Sequence, residues 1–132
     1  MEHGNTSSRK WLELTIMENE SEKILKSFQR HFGALNRDIP DTRNAYTDLL
    51  KTVHKDGALS AKFKEIICIV AAILAPCESC MVYHTKQAIA AGATREEIME
   101  AAAVAIVMGG GPAAAHIATV QDALDIWAPG KK

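Results

Sequence analysis

The sequence predicts an all-α, single-domain bundle of about six helices. Residues that favour helices dominate the chain, aromatic residues make up only 5% of it, and no window shows the strict alternation of apolar and polar residues that a half-buried strand would show. A length of 132 residues suits one domain with a modest core. We therefore expect a single domain over residues 1–132, with residues 1–20 as an N-terminal extension.

Capping and breaking residues divide the helical pattern into segments. A proline at the first helical position gives up no hydrogen bond, so Pro40, Pro76 and Pro112 can each open a helix. Ser60 is a candidate N-cap, and Thr94 with Glu97 three residues later forms a candidate capping box. The expected helices run from Ser21 to Phe32 (ended by Gly33), from Pro40 to about Val53, from Ala61 to Leu74, from Pro76 to about Ala91, from Arg95 to about Met108 and from Pro112 to about Trp127.

The fifth of these helices predicts an oligomer. From Ile98 to Met108 every residue except Glu100 is apolar, and many are alanine. A helix that is apolar on all sides must be covered on all sides. Six short helices cannot easily enclose one of their number, so we expect a partner subunit to complete the burial. The alternative is a central helix inside the monomer.

Composition and charge exclude several classes of protein. Hydrophobic residues make up 48% and charged residues 23% of the chain, which is typical of a globular protein. The net charge of -1 favours neither a nucleic-acid nor an anionic-membrane partner. The N-terminal segment lacks the apolar core of a signal peptide, and the longest apolar run ends at Pro76 after about ten residues, short of the roughly 20 that a membrane span needs. We expect a cytoplasmic protein, in which a C-x-x-C pair is more often catalytic or metal-binding than a structural disulfide.

The segment "APCESCMVYH" carries the chemistry. On a helix with about 100° per residue, Cys77, Cys80 and His84 fall within an arc of about 60° on one face. The two cysteine α-carbons would lie about 5 to 6 Å apart, which permits a disulfide. Both cysteines also follow Pro76 in the first turn, where free backbone N–H groups and the helix dipole favour a thiolate. The sequence therefore predicts a redox-active dithiol with an imidazole beside it.

The two sulfurs are predicted to have different roles. Attack and resolution require one exposed and one partly sheltered sulfur. Cys80 stands one helical turn from His84, which can take the proton of a neighbouring thiol, whereas Cys77 sits at the corner beside the proline. We assign Cys80 as the attacking nucleophile and Cys77 as the resolving partner.

Glu65 is the predicted partner of the histidine. It lies eleven residues before Pro76 and His84 lies eight after it, so the two side chains reach similar heights if the helices fold back on each other. A carboxylate there would orient the imidazole and hold its proton. The alternative is a solvated charge beside Lys62 and Lys64.

A zinc site is the rival interpretation of the same residues. Cys77, Cys80 and His84 would supply three ligands, and Cys68 or Glu65 the fourth. Structural zinc sites usually draw ligands from two separated elements, and the sequence holds no second C-x-x-C or H-x-x-x-H. We therefore predict no bound metal.

The remaining cysteine and histidines receive no role from the sequence. Cys68 lies in the apolar stretch "EIICIVAAIL", where a lone cysteine is most often a small buried hydrophobic residue. His3, His31, His54 and His116 lack a partner pattern and are interpreted as surface or packing residues.

The run "KFKEIICIVAAILAPCESCMVYHTKQAIAAGAT", together with "IVMGGGPA", resembles the alkylhydroperoxidase D-like branch of the carboxymuconolactone decarboxylase family. That branch carries a glutamate twelve positions before a C-x-x-C and a histidine four positions after it. Glu65, Cys77, Cys80 and His84 match every position. The resemblance covers about residues 59–124. One departure is Ser79, which stands where the alkylhydroperoxidase D proteins proper have a histidine between the cysteines.

The resemblance implies an all-α bundle that assembles as a trimer or a hexamer. It also implies thiol-dependent reduction of peroxides or disulfides, with an external dithiol protein as electron donor and no bound cofactor. Decarboxylase members generally lack the cysteine pair, so its presence here argues against the reaction that names the family. A lactone decarboxylase that uses His84 and Glu65, with the cysteines incidental, is the alternative enzyme. The third hypothesis is an oligomeric scaffold that is stabilised by zinc and has no enzymatic activity. The sequence does not distinguish a peroxidase from a disulfide reductase.

Overall fold

Five helices make up the part of the chain that the computed structural model describes, which is Arg9 and residues 19–130. Most of the expected N-terminal extension lies outside these residues. The prediction of an all-α fold is confirmed, and no strand occurs within the described range. The helices are α1 (Glu20–Asp38), α2 (Pro40–Val53), α3 (Ala61–Leu74), α4 (Glu78–Ala90) and α5 (Arg95–Trp127).

Helix α1 is longer than predicted. The expected end at Gly33 is wrong, since the helix continues through this residue to Asp38. An isolated glycine inside a helix costs only about 1 kcal/mol relative to alanine. The partial burial of Ala34 and Leu35, which follow it, offsets this cost and favours a longer helix. Pro40 then ends α1 and opens α2, because proline has no N–H to donate to the preceding turn.

Helix α4 begins later than predicted. Pro76 lies in the corner after α3, and α4 starts at Glu78 with Cys77 as its N-cap. The chain turns because Cys77 N–H donates to Ala72 O at 2.9 Å. The start of α3 is as predicted, with Ser60 Oγ accepting from the Phe63 N–H at 3.3 Å. The corner places both cysteines at the mouth of α4.

The predicted fifth and sixth helices are the two helical segments of α5, which meet at a kink. The capping box of Thr94 and Glu97 is present as predicted. At Gly110 the backbone takes φ 61 and ψ -145, a conformation that a side chain would strain. Next to it, a Cβ at Gly109 would lie 2.8 Å from Leu74 Cδ2, so this glycine allows α5 to approach α3 closely. The glycine run therefore separates two helical segments of α5, as the sequence predicted.

The core lies between α3, α4 and α5. Its largest fully buried apolar side chains are Ile69, Ile73, Met81, Val82, Ile98, Val120 and Leu124. Helix α1 packs on α4 and on α2, whereas α2 buries none of its residues and makes no close backbone contact with α4. The gap between α2 and α4, closed on one side by α1, forms the pocket described below.

Helix α5 is long and apolar enough, by length and composition alone, to cross a membrane. The kink at Gly110 divides it into two segments, each shorter than the roughly 20 residues that a span requires. Ile98, Val120 and Leu124 on these segments are fully buried against the rest of the bundle. We therefore interpret α5 as the core helix of the domain.

One face of α5 nevertheless remains uncovered. Val104, Val107 and Met108 are 59%, 81% and 80% exposed. Exposed large apolar side chains in such a group are typical of a protein–protein contact. We propose that a second copy of this chain covers this face, as the apolar sequence of the helix led us to expect.

The double substitution Val107→Glu with Met108→Glu tests this contact. Because a carboxylate is costly to remove from water, both new charges should prevent association and reduce the mass in light scattering to that of the 14.3 kDa chain. Gln121→Glu, at another exposed position of α5, is the matched control and should leave the oligomer intact. A wild-type mass near 14.3 kDa at micromolar concentration would contradict the proposal.

Candidate active site

Cys77 and Cys80 are joined by a disulfide, with their α-carbons 5.2 Å apart. The N-cap role of Cys77 makes this possible, because it turns the Cys77 side chain back over the first turn of α4. There its Sγ accepts a hydrogen bond from the Cys80 N–H at 3.3 Å. Ser79 Oγ lies 3.7 Å from the same sulfur. When the disulfide opens, a negative charge on Cys77 would meet a backbone donor and the positive end of a helix.

Glu65 and His84 are in direct contact. Glu65 Oε2 lies 2.6 Å from His84 Nδ1, and the two side chains are only 13% and 16% exposed. The interpretation of Glu65 as a solvated charge is therefore wrong. Because a carboxylate accepts the hydrogen bond, Nδ1 of His84 carries the proton and Nε2 is left as the basic nitrogen. This arrangement suits an imidazole that receives a proton from a neighbouring group.

A second histidine, His54, contacts the other oxygen of the same carboxylate. His54 Nε2 lies 3.3 Å from Glu65 Oε1, and its Nδ1 lies 3.0 Å from Leu50 O. The rings of His54 and His84 are nearly parallel, with centroids 6.1 Å apart. The interpretation of His54 as a surface or packing residue is wrong. Sequence spacing could not reveal it, because His54 reaches Glu65 from the C-terminus of α2, across a loop.

Cys68 lies beside this group. Its Sγ is 3.7 Å from His54 Nε2, and the residue is partly exposed, whereas the sequence predicted a small buried hydrophobic residue. Burial, and secondly the negative charge of Glu65, raise the pKa of the Cys68 thiol above its ordinary value of 9.0. Cys68 therefore stays protonated at neutral pH and is a poor nucleophile.

A pocket of about 460 Å³ opens between α1, α2 and α4. Cys80, Tyr83 and His84 line its α4 side, whereas Cys77 is not among its lining residues. The Tyr83 ring meets His84 edge-on, with centroids 5.0 Å apart. Burial first, and then the charges of Glu65 and Tyr46, raise the pKa of Tyr83, so this residue remains a neutral hydrogen-bond donor. Of the two redox sulfurs, Cys80 is the one that a molecule in this pocket would meet.

The sequence profile of the carboxymuconolactone decarboxylase family matches residues 40–123, which include every site residue described above. The chain belongs to the carboxymuconolactone decarboxylase family. The resemblance inferred from the sequence is thereby confirmed.

Relatives in this family include uncharacterized proteins. One from Cupriavidus necator is 39% identical over 92 residues, covering 70% of this chain and 81% of the relative. Protein 4 of the cox locus of Paracoccus denitrificans is 40% identical over 84 residues, covering 64% of this chain and 76% of the relative.

Crystal structures of two family members have the same fold. The apo form of a Legionella pneumophila member superposes with a TM-score of 0.80 at 28% identity, covering 84% of this chain and 99% of that protein. A Thermotoga maritima member superposes with a TM-score of 0.69 at 27% identity, covering 79% of this chain and 88% of that protein. The description of the Thermotoga protein suggests a part in an antioxidative response.

Three possible metal ligands converge within the described residues. Donor atoms of His54, Cys68 and His84 all lie within 4.8 Å of one another. This set differs from the zinc site that the sequence suggested as a rival, because Cys77 and Cys80 are bonded to each other here. Both histidines already contact Glu65, so an ion at this place would compete with that carboxylate.

The pKa of Cys68 can be measured by its alkylation. With the disulfide closed, Cys68 is the free cysteine, and the midpoint of the pH profile of its reaction with iodoacetamide should lie at a higher pH than in the unfolded chain. Because the folded form keeps the proton longer, the stability that this thiol contributes is complete below the unfolded pKa and declines as the pH rises through the folded one.

Glu65→Gln separates the two causes of this shift. Removing the smaller, electrostatic cause should lower the pKa of Cys68 only part of the way, since burial remains. Mass spectrometry of alkylated protein at a series of pH values gives the profile. Equal profiles for the folded and the unfolded chain would contradict the assignment.

Proposed function

We propose that this protein is a thiol-dependent oxidoreductase that reduces peroxides or disulfides with the Cys77–Cys80 pair. The observation that carries the proposal is the disulfide itself, which has Cys80 on the wall of a pocket that also contains His84. The lactone decarboxylation that gives the family its name does not require a cysteine pair, whereas a redox cycle does. The description of the Thermotoga maritima member, which has the same fold, suggests a part in an antioxidative response and thereby supports this proposal.

The oxidative half of the cycle begins with the reduced pair. The Cys80 thiolate attacks the outer oxygen of a hydroperoxide ROOH, the O–O bond breaks, and the alcohol ROH leaves with one proton. Cys80 becomes a sulfenic acid. The Cys77 sulfur then attacks the Cys80 sulfur and releases water, which forms the disulfide. For a disulfide substrate, Cys80 forms a mixed disulfide that Cys77 resolves in the same way.

The reductive half uses an external dithiol. One donor thiolate attacks Cys80 from the pocket, and Cys77 leaves as a thiolate. The Cys80 N–H and the N-terminus of α4 stabilise this leaving group, and a stabilised thiolate leaves faster. The second donor thiol then attacks the mixed disulfide and regenerates the Cys80 thiol. Each cycle therefore converts ROOH and a dithiol into ROH, water and a disulfide.

His84 would accept and return a proton during this cycle. Its Nε2 is the nitrogen left free by the hydrogen bond to Glu65, so it can accept the Cys80 proton and return it to the departing alcohol. The carboxylate then faces an imidazolium, which it stabilises. His54, on the other carboxylate oxygen, keeps Glu65 in position.

The same proposal covers partners and location. A dithiol protein such as a dihydrolipoyl protein or thioredoxin would reset the pair, no bound cofactor is required, and the reducing cytoplasm would supply the electrons. The subunits would assemble as a trimer or a hexamer.

A panel of dithiol donors against several peroxides and disulfides distinguishes a peroxidase from a disulfide reductase. The lactone decarboxylase remains the alternative enzyme, and its turnover would survive loss of both cysteines.

Cys80→Ser should abolish turnover of peroxides and disulfides, because the attacking sulfur is removed. Cys68→Ser is the matched control: it removes a protonated thiol outside the pair and should keep most of the activity. Both are measured by consumption of a dithiol donor in the presence of hydroperoxide. Full activity in the Cys80→Ser protein would refute the assignment, and stoichiometric zinc in the purified wild-type protein would favour the scaffold hypothesis.

Glu65→Gln should lower kcat by about 10- to 100-fold, at the lower end of what general acid–base catalysis contributes. The amide keeps a contact with His84 but cannot stabilise the imidazolium. His54→Gln should have a smaller effect in the same direction, because His54 acts through Glu65. The pH profile of kcat should change in both variants, and an unchanged profile in Glu65→Gln would contradict the proton-transfer role of the pair.

A further inference from the structure

The pocket beside Cys80 contains one cationic side chain that the redox cycle does not use. Arg43 reaches the pocket from α2, the helix that faces the cysteine-bearing α4 across the gap. Its guanidinium carbon lies 5.3 Å from the centroid of the Phe32 ring. Arginine on an aromatic face keeps its donors available for a planar anion.

Arg43 has an unmet hydrogen-bonding requirement. Its Nε is buried and has no hydrogen-bond partner, and no carboxylate pairs with its guanidinium among residues 19–130. A partly buried charge is costly unless it is paired, so a guanidinium on the pocket wall that no described carboxylate pairs favours an anionic ligand there. The fork of N–H groups on a guanidinium fits a carboxylate with two parallel hydrogen bonds.

The rest of the pocket is apolar. Phe28, Phe32, Leu50 and the rings of Tyr46 and Tyr83 form most of its wall, and among the described residues Arg43 is the only Lys, Arg, Asp or Glu that lines it. A volume of about 460 Å³ is within the range of sites for organic ligands and far exceeds that of hydrogen peroxide. The ligand that fits has an apolar body and one anionic end.

We propose that Arg43 binds the carboxylate of an apolar organic hydroperoxide and thereby directs its peroxide group to Cys80. This inference rests on the proposed function and names its substrate class. The carboxylate is unchanged in the reaction: Cys80 takes the outer peroxide oxygen, the substrate leaves as the hydroxy acid, and the Cys77–Cys80 disulfide forms with loss of water. Arg43 is thus a specificity-determining residue and takes no part in the electron transfer.

The first experiment uses a matched pair of substrates, cumene hydroperoxide and its para-carboxylate derivative. Wild-type protein should have a lower KM for the carboxylate. Arg43→Gln should raise that KM by about 10- to 100-fold, as loss of a charge-assisted hydrogen bond does, and change the KM for cumene hydroperoxide much less. Arg43→Lys, which keeps the charge, should restore part of the preference. Arg30→Gln, at an exposed position of α1 outside this pocket, is the control.

A binding experiment separates this inference from the proposed function. Calorimetry with the oxidised protein compares 4-isopropylbenzoate with 4-isopropylbenzamide, neither of which can be reduced. The benzoate should bind to the wild-type and Arg30→Gln proteins but not to Arg43→Gln. Binding of benzoate and benzamide with equal affinity would overturn the carboxylate site.

Failure of the carboxylate site and failure of the redox function therefore give different results. If both hydroperoxides are reduced equally well whether or not Arg43 is present, the substrate class is wrong and the redox function stands. If no hydroperoxide is reduced but the benzoate still binds through Arg43, the carboxylate site stands and the hydroperoxide assignment falls together with the peroxidase function.

Discussion

A single carboxylate with little exposure to water connects three helices of this protein. Glu65 on α3 accepts from His84 on α4 at 2.6 Å and contacts His54, the C-cap of α2, at 3.3 Å. A charge removed from water is costly unless its oxygens are paired, so the two imidazoles compensate for the burial of this carboxylate. The same contacts fix the tautomer of His84 and keep its free nitrogen beside the pocket. Fold and chemistry thus depend on the same three side chains.

The disulfide takes its properties from the place where the chain turns. The corner at Pro76 ends one helix and lets Cys77 cap the next, so one sulfur receives a backbone hydrogen bond while the other lines the pocket. This asymmetry gives the two cysteines different chemistry without any difference in their own side chains. The sulfur in the pocket meets the incoming molecule, and the capped sulfur is the better leaving group. Cys77 therefore both caps α4 and forms half of the disulfide.

Local signals predicted the helices well where a capping residue or a proline fixed the boundary. Ser60, Pro40 and the Thr94–Glu97 box begin their helices as the sequence indicated. Glycine was a weaker guide: α1 passes through Gly33, whereas Gly110 bends α5. Each glycine permits a break, but the packing around it decides whether a break occurs. The relation of Glu65 to His84 was predictable because α3 ends and α4 starts at one proline corner.

The sequence by itself determined the helical class, the family, the cysteine pair and the histidine one turn beyond it, because these depend on residue type and short-range spacing. The tertiary structure alone decided that His54 shares the carboxylate, that Cys80 and not Cys77 reaches the pocket, and that Arg43 lies in the same pocket. Those relations join residues on separate helices, whose relative positions follow from packing of the whole core. No spacing along the chain records them.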